Sequence, residues 1–216
     1  MQKKLFGAAA ATVLLLTGAS GTALAAISYD LTVDHCTGGC NPGAPGTSMG
    51  TVLLVQNGTN DVRVTVTLVS PLRFVGTGLD ANIDFNLAGI LTGLTAINFT
   101  NAAFFLVSGT AGAHHFNGFG DFGFAIDKTG ANGAGGSQPS PLAFDLVATG
   151  LTESSFVGNA GGFVFGVDVY NTVNGNTGPV ATGDPNGVGP DSVPEPSSVV
   201  LLSSLVVGLA MLRKWS

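Results

Sequence analysis

The chain has 216 residues, with 13 acidic residues against 7 lysines and arginines. Four of the basic residues lie within four positions of the two ends, so residues 26–192 keep three basic residues against twelve acidic ones. A surface of that charge repels phosphate backbones, which excludes nucleic-acid binding. The 33 glycines disfavour long helices, because glycine destabilises a helix by about 1 kcal/mol per site.

The first 25 residues have the organisation of a secretory signal peptide. Lys3 and Lys4 precede an apolar stretch over 5–16, and Ala23-Leu24-Ala25 forms an A-x-A cleavage site. The pattern predicts export, with the mature chain starting at Ala26. An uncleaved N-terminal anchor is the alternative interpretation.

Residues 26–171 show the period-two alternation of half-buried strands. In one strand Val62, Val64, Val66 and Leu68 alternate with polar residues, and the five-residue loop 57–61 predicts a hairpin with the strand before it. Further strands are predicted over 27–33, 51–56, 83–87, 122–126, 142–146 and 163–169.

The segment 95–107 is apolar nearly throughout and fits either a central strand or a short helix. About eight strands joined by Gly, Asn and Pro turns predict an all-β, antiparallel β-sandwich or jelly-roll-like domain over 26–171. Phenylalanine dominates the aromatic content of the chain, which has 14 Phe against one Trp and two Tyr. Few polar aromatic side chains are therefore left to line a sugar-binding platform.

The only two cysteines, Cys36 and Cys40, are separated by Thr-Gly-Gly. An exported chain meets an oxidising compartment, so we expect a disulfide that closes a short loop. The spacing disfavours a Cys-x-x-Cys redox site. A metal site with the neighbouring Asp34 and His35 stays as an alternative, although no second cysteine pair completes a zinc set.

The consecutive histidines His114 and His115 would point to opposite faces of a strand and could not share one ion there. We expect two solvated loop histidines; a hydrolase that uses them with Asp121 is the alternative. The pairs Asp80–Asp84 and Asp121–Asp127 are candidate acid–base pairs, but most acids fall on outward strand positions or in turns, where solvation is the ordinary outcome.

The sequence therefore predicts no catalytic residue, no metal ligand and no cofactor, and the chain is expected not to be an enzyme. Ca²⁺ held by oxygens of turn Asp and Asn residues stays as an alternative. The chain contains neither an EF-hand nor a repeat-type calcium loop.

Residues 172–192 have no apolar periodicity and are rich in Gly, Pro, Asn and Thr, which predicts a flexible linker. Val193-Pro194-Glu195-Pro196 follows, and its prolines cannot continue a helix. The sixteen uncharged residues 197–212 would rise about 24 Å as a helix, at the short end for a hydrocarbon core of about 30 Å. Arg213 and Lys214 then provide a cytoplasmic stop by the positive-inside rule.

This arrangement over 193–216 resembles the sorting signal of PEP-CTERM proteins, the substrates of exosortases. The resemblance implies that Val193, Pro194, Glu195 and Pro196 are recognised by a membrane exosortase, with Arg213 and Lys214 fixing the topology. It further implies single-pass insertion in the inner membrane, then release to the cell surface or exopolysaccharide matrix of a Gram-negative bacterium. A plain single-pass anchor is the alternative for the tail. For the body, a structural matrix protein competes with a carbohydrate-binding module or adhesin.

Overall fold

The alternating sequence pattern is realised as short antiparallel β-strands. The computed structural model describes residues 26–77, 81–183 and 191–192, the last two through their backbone only. Every strand pairing among them is antiparallel. The strands are β1 (Ala26–Asp34), β2 (Gly50–Gly58), β3 (Asp61–Leu68), β4 (Leu72–Phe74), β5 (Ile83–Phe85), β6 (Thr95–Ile97), β7 (Phe104–Leu106), β8 (His114–Phe116), β9 (Gly120–Phe122), β10 (Phe124–Lys128), β11 (Leu142–Val147), β12 (Phe165–Asn171), β13 (Thr177–Thr182) and β14 (Asp191–Ser192). Two single-turn 3-10 helices lie at Ala134–Gly136 and Glu153–Ser155.

Some predictions concern residues that the structure does not describe. These are the signal peptide with Ala23 and Ala25, the acid–base candidate Asp80, the motif 193–196, the apolar span 197–212, and the basic residues Arg213 and Lys214. No helix among the described residues is long and apolar enough to cross a membrane.

One sheet contains most of the strands, in the order β6-β11-β3-β2-β1-β13-β12-β5-β10-β7, with β14 added on β1 and β4 on β12. Strand β1 divides this sheet: residues 26–30 pair with β2, and residues 31–34 pair with β13 after a register shift between Leu31 and Val33. Such irregularities bend a strand and let it pass between layers. We call the strands from β6 to the first part of β1 the β2 side, and those from the second part of β1 to β7 the β12 side.

The main core takes buried side chains from both sides. On the β2 side, Val62, Val64 and Val66 are buried while Thr67 is exposed, so the predicted alternation of β3 is confirmed. On the β12 side, Ile83, Phe85, Phe165 and Val167 belong to the same core. The all-antiparallel-β prediction for the body is confirmed.

The predicted β2–β3 hairpin is present, but its loop is shorter than five residues. Gly58 pairs with Asp61, which leaves Thr59 and Asn60 as the turn, and the ladder shifts register between Gln56 and Gly58. Asn60 has a φ of 65°, a left-handed conformation that asparagine tolerates better than most residues.

The prediction for 95–107 is wrong. The segment forms two three-residue strands, β6 and β7, at the opposite ends of the strand order. The chain turns between them through Asn98, whose φ is 55°. Edge strands need little burial on their outer face, and Ile97 and Phe105 are 46% and 40% exposed.

The predicted strand 122–126 is also interrupted. Strand β9 ends at Phe122 and β10 begins at Phe124, and the two rings belong to different hydrophobic clusters. Gly123 lies between them, and its N–H donates to Oδ1 of Asn86.

The predicted linker 172–192 starts too early. Residues 177–182 form β13, which lies between β1 and β12 in the sheet, and Asp191–Ser192 pairs with Ile27 and Ser28. Of β13, only Val180 and Ala181 are apolar and buried, so its sequence does not show a strand pattern. The folded body therefore extends beyond residue 171.

Candidate functional site

A separate hairpin covers the outer face of the β12 side. Strands β8 and β9 pair with each other and with no strand of the large sheet among the described residues. Phe116, Phe119 and Phe122 of this hairpin form a second hydrophobic cluster with Ala181 of β13. The turn is tight because Gly118 and Gly120 adopt φ values of 84° and 86°. The β12 side therefore has buried residues on both of its faces.

The absence of a side chain at Gly166 of β12 allows the hairpin to pack on the sheet. A Cβ atom at that position would lie 2.6 Å from the Phe116 ring, closer than carbon atoms pack. The missing side chain lets Phe116 lie directly on the sheet. Gly166 pairs with Asp84 of β5, so the ring sits beside that buried carboxylate.

A groove of about 640 Å³ opens beside the hairpin, between it, β13 and the chain after β1. Its lining is polar and apolar in about equal parts, and it includes two histidines, three threonines and an asparagine. The residues are His35, Thr37, Thr77, His115, Asn117 and 177–179. Such a surface suits a polar or hydroxylated ligand held by hydrogen bonds.

One residue of the groove lining, Thr77, is hydrogen-bonded to a buried carboxylate. Asp168 is 1% exposed, and its Oδ2 accepts hydrogen bonds from the backbone N–H of Thr77 at 2.7 Å and from its hydroxyl at 2.6 Å. Thr77 also lines the groove. Asp168 therefore fixes the position of Thr77 in the groove lining.

The two histidines lie on strand β8, not in the expected loop. His115 pairs across the hairpin with Asp121, with Nδ1 2.9 Å from Oδ1, and the two side chains are 72% and 64% exposed. Exposure of that extent is typical of a solvated cross-strand pair, which contributes little to stability. His114 points to the other face, where partial burial lowers its pKa below the ordinary value.

The expected disulfide joins Cys36 and Cys40, with Cα atoms 5.6 Å apart. Asp34 organises the loop that it closes: Oδ1 accepts from the N–H of Cys36 at 2.9 Å, and Oδ2 accepts from those of Cys40 and Asn41 at 2.8 Å. Asp34, Cys36 and Cys40 lie close enough to hold a metal ion, but the two sulfurs are bonded to each other and are not thiolate ligands. The arrangement is structural.

The disulfide loop is also fixed to the turn between β12 and β13. The Asn176 side chain donates to the carbonyl of Gly39 at 2.7 Å, and the buried Asn171 side chain donates to that of Cys40 at 3.0 Å. Asn176 lies inside the region 172–192 that is predicted to be a linker. The disulfide loop, which contributes Thr37 to the groove lining, is therefore held by Asp34, which precedes it in the chain, and by the two asparagines.

The expectation that the body's acids lie mostly on solvated positions is wrong for three strand residues. Asp84, Asp145 and Asp168 are 0%, 3% and 1% exposed. Asp145 is covered by Arg63, whose Nη1 lies 2.8 Å from its Oδ1, and by Asn98. Asp127 keeps partial exposure, and its Oδ1 accepts from the N–H of Lys128.

Sequence reasoning missed Asn82, Asp84 and Asp168 as a buried polar group. One sequence feature could have indicated them: in the segment 163–169 the positions that alternate with Phe165 and Val167 hold Val164, Gly166 and Asp168, not a polar series. Such a near-continuous apolar run is typical of a strand buried on both faces.

Comparison with known proteins gives no match. No protein-family model, no curated protein and no solved structure matches the chain. What the protein does is therefore inferred from its own residues and their geometry.

Proposed function

We propose that this chain is an exported, non-enzymatic structural protein of the bacterial cell surface or exopolysaccharide matrix, sorted by an exosortase. The observation that carries the proposal is the order of the tail: Val193-Pro194-Glu195-Pro196, the uncharged residues 197–212, then Arg213 and Lys214. The Lys3–Lys4, apolar 5–16 and Ala23–Ala25 pattern supports export independently.

Two properties of the body support an extracytoplasmic location. The Cys36–Cys40 disulfide is of a kind that persists in oxidising compartments. The excess of twelve acidic over three basic residues between 26 and 192 favours solubility outside the cell.

The proposal also has an architectural part: the β2 side and the β12 side face each other as the two layers of a β-sandwich. The main core supports this, since one cluster includes Val52 and Val64 from one side and Ile83 and Phe85 from the other. The ring of Tyr29, on the part of β1 paired with β2, lies 5.7 Å from that of Phe165 on β12.

The test is intact-mass analysis of the surface and extracellular fractions of the native host, with and without its exosortase. We expect a form that starts near Ala26, ends near Pro194–Pro196 and disappears without the exosortase. A membrane-bound chain that ends at Ser216 in both strains would contradict the sorting proposal and favour a plain anchor.

The chain offers a matched control for this test, because Glu195 and Glu153 are its only two glutamates. We expect Glu195→Gln to block processing and Glu153→Gln to leave it unchanged. Equal processing of both variants would argue against recognition of the motif.

The groove favours a second candidate function, a carbohydrate-binding module or adhesin. Thr77, His115 and Asn117 offer hydroxyl, imidazole and amide groups to a hydroxylated ligand. Binding of host exopolysaccharide that is lost in Asn117→Ala, with Asn57→Ala as an exposed control away from the groove, would support it. Equal binding by both variants would count against it.

A further inference from the structure

Three polar side chains are buried together on the outer face of the β12 side. Asn82 and Asp84 are 0% exposed and Asp168 is 1% exposed. Ile83 and Val167 belong to the main core, so the alternation of β5 and β12 directs Asp84 and Asp168 to the opposite face, and Asn82 directly precedes β5.

The strand register brings the three residues together. Asp84 pairs with Gly166, two residues from Asp168 on β12. The N–H of Asp168 donates to the carbonyl of Asn82 at 2.9 Å, so these two residues lie next to each other just beyond the Ile83–Val167 pair. Directly opposite and diagonal neighbours on one sheet face are within reach of each other's side chains.

The amide of Asn82 is the observation that points to a ligand. Its Oδ1 and Nδ2 are both buried, and neither has a hydrogen-bond partner among the described residues. Buried polar side-chain atoms in native proteins nearly always have a partner, and one that has none is a mark of an ion or water bound there.

The charges around this position favour a cation. The patch holds two buried carboxylates, which repel each other when both are ionised.

We propose that Asn82, Asp84 and Asp168 bind a divalent cation of the Ca²⁺ type. Carboxylate and amide oxygens are the ligands of Ca²⁺, which accepts six to eight oxygens in flexible geometry, whereas zinc prefers nitrogen and sulfur. The hydroxyl of Thr77, 2.6 Å from Oδ2 of Asp168, adds a further oxygen beside the site. Because Thr77 lines the groove, the groove provides a route for the ion and for its water ligands.

The bound ion would fasten β5 to β12 beneath the β8–β9 hairpin and hold the floor of the groove. This inference does not depend on the sorting of the chain, since it concerns the body alone. Because the ion binds the folded state, its binding raises the unfolding temperature in proportion to the logarithm of its concentration.

The first experiment uses the full-length purified chain, treated with EDTA and dialysed, and titrated with CaCl₂ by calorimetry and thermal unfolding. We expect one Ca²⁺ per chain, with a Kd in the range of about 0.1–1 mM that is typical of extracellular modules. The Tm should rise with Ca²⁺ and respond much less to MgCl₂. A chain that gives no binding heat and no Tm change with Ca²⁺ would overturn the proposal.

Variants locate the site. Asn82→Ala removes one oxygen ligand and leaves both carboxylates; we expect Ca²⁺ affinity to fall at least about tenfold, the equivalent of losing one ligand contact. Asp84→Asn should abolish the Tm response. Asp121→Asn removes the same charge from an exposed hairpin position and should bind as the wild type does.

If Asp84→Asn does not fold, Asn82→Ala decides alone, because it removes an amide that has no hydrogen-bond partner among the described residues. Ca²⁺ binding by Asn82→Ala with wild-type affinity would refute the site, even where the wild type binds Ca²⁺.

Discussion

The β2 side and the β12 side of the sheet begin from the same period-two pattern and end with different burial. On the β2 side the outer face of β3 stays partly accessible, with Arg63 and Thr65 half-buried and Thr67 exposed. On the β12 side the outer positions Asp84, Ala125, Gly166 and Asp168 are buried, and the β8–β9 hairpin packs its phenylalanines on this side at Gly166 and Ala181. Alternation therefore identifies the strand, but the faces of a strand are assigned only by what packs on each.

The two sides also treat buried acids differently. Asp145 on the β2 side meets the guanidinium of Arg63 and the amide of Asn98. Asp168 on the β12 side accepts from the neutral Thr77, and it lies next to Asn82. The buried acid on the β2 side thus has a cation and an amide among its partners, and the one on the β12 side has a neutral hydroxyl and a backbone N–H group.

The largest expected effect is in the core that both sides share. Phe165 contacts Phe85 and Phe156 and is fully buried, so Phe165→Ala should lower the free energy of unfolding by about 3–5 kcal/mol. Urea denaturation measures it. Phe105→Ala, at a ring 40% exposed on edge strand β7, is the control and should be much milder; equal losses would contradict the assignment of the core.

A smaller effect should separate the two outer faces. Gly166→Ala places a Cβ 2.6 Å from the Phe116 ring and should destabilise by about 1–3 kcal/mol. Thr65→Ala on the open face of β3 should change stability by no more than about 0.5 kcal/mol. The same denaturation experiment compares them, and a neutral Gly166→Ala would show that the hairpin does not press on the sheet.

On the β2 side, Asp145→Asn should lower the free energy of unfolding by about 1 kcal/mol. Asp145→Asn keeps the volume and removes the charge that faces Arg63, which is part-exposed and can turn toward solvent. Double-mutant analysis with Arg63→Met measures the coupling. Additive effects of the two changes would indicate that the pair contributes nothing to stability.

The smallest effect is a pH dependence from His114. Burial lowers its pKa in the folded state, so the unfolded chain binds the proton more readily. Stability should therefore be full above the ordinary value of about 6.5 and fall as the pH drops through it toward the lowered pKa. Thermal unfolding between pH 7.5 and about pH 5 should show a smaller acid loss in His114→Gln than in the wild type; identical curves would exclude the contribution.

The sequence by itself determined the all-antiparallel-β class, the strands around 62–68, 142–146 and 163–169, the β2–β3 hairpin and the Cys36–Cys40 disulfide. Each depends on local information: alternation, turn residues or the spacing of two cysteines. The export and sorting predictions are equally local, since they depend on the sequence of residue types within two short segments, 1–25 and 193–216.

Only the tertiary structure decided that 177–182 is an inner strand, that 95–107 forms two edges, and that Asn82, Asp84 and Asp168 share a buried patch. A strand with few apolar residues, such as β13, is held by its neighbours β1 and β12 and not by its own pattern. Alternation places Asp168 on the face opposite Val167 and Val169, but whether that face meets solvent depends on segments distant in sequence, such as that of Thr77, which donates to its carboxylate. The candidate site escaped prediction for that reason: its burial comes from non-local packing that alternation does not encode.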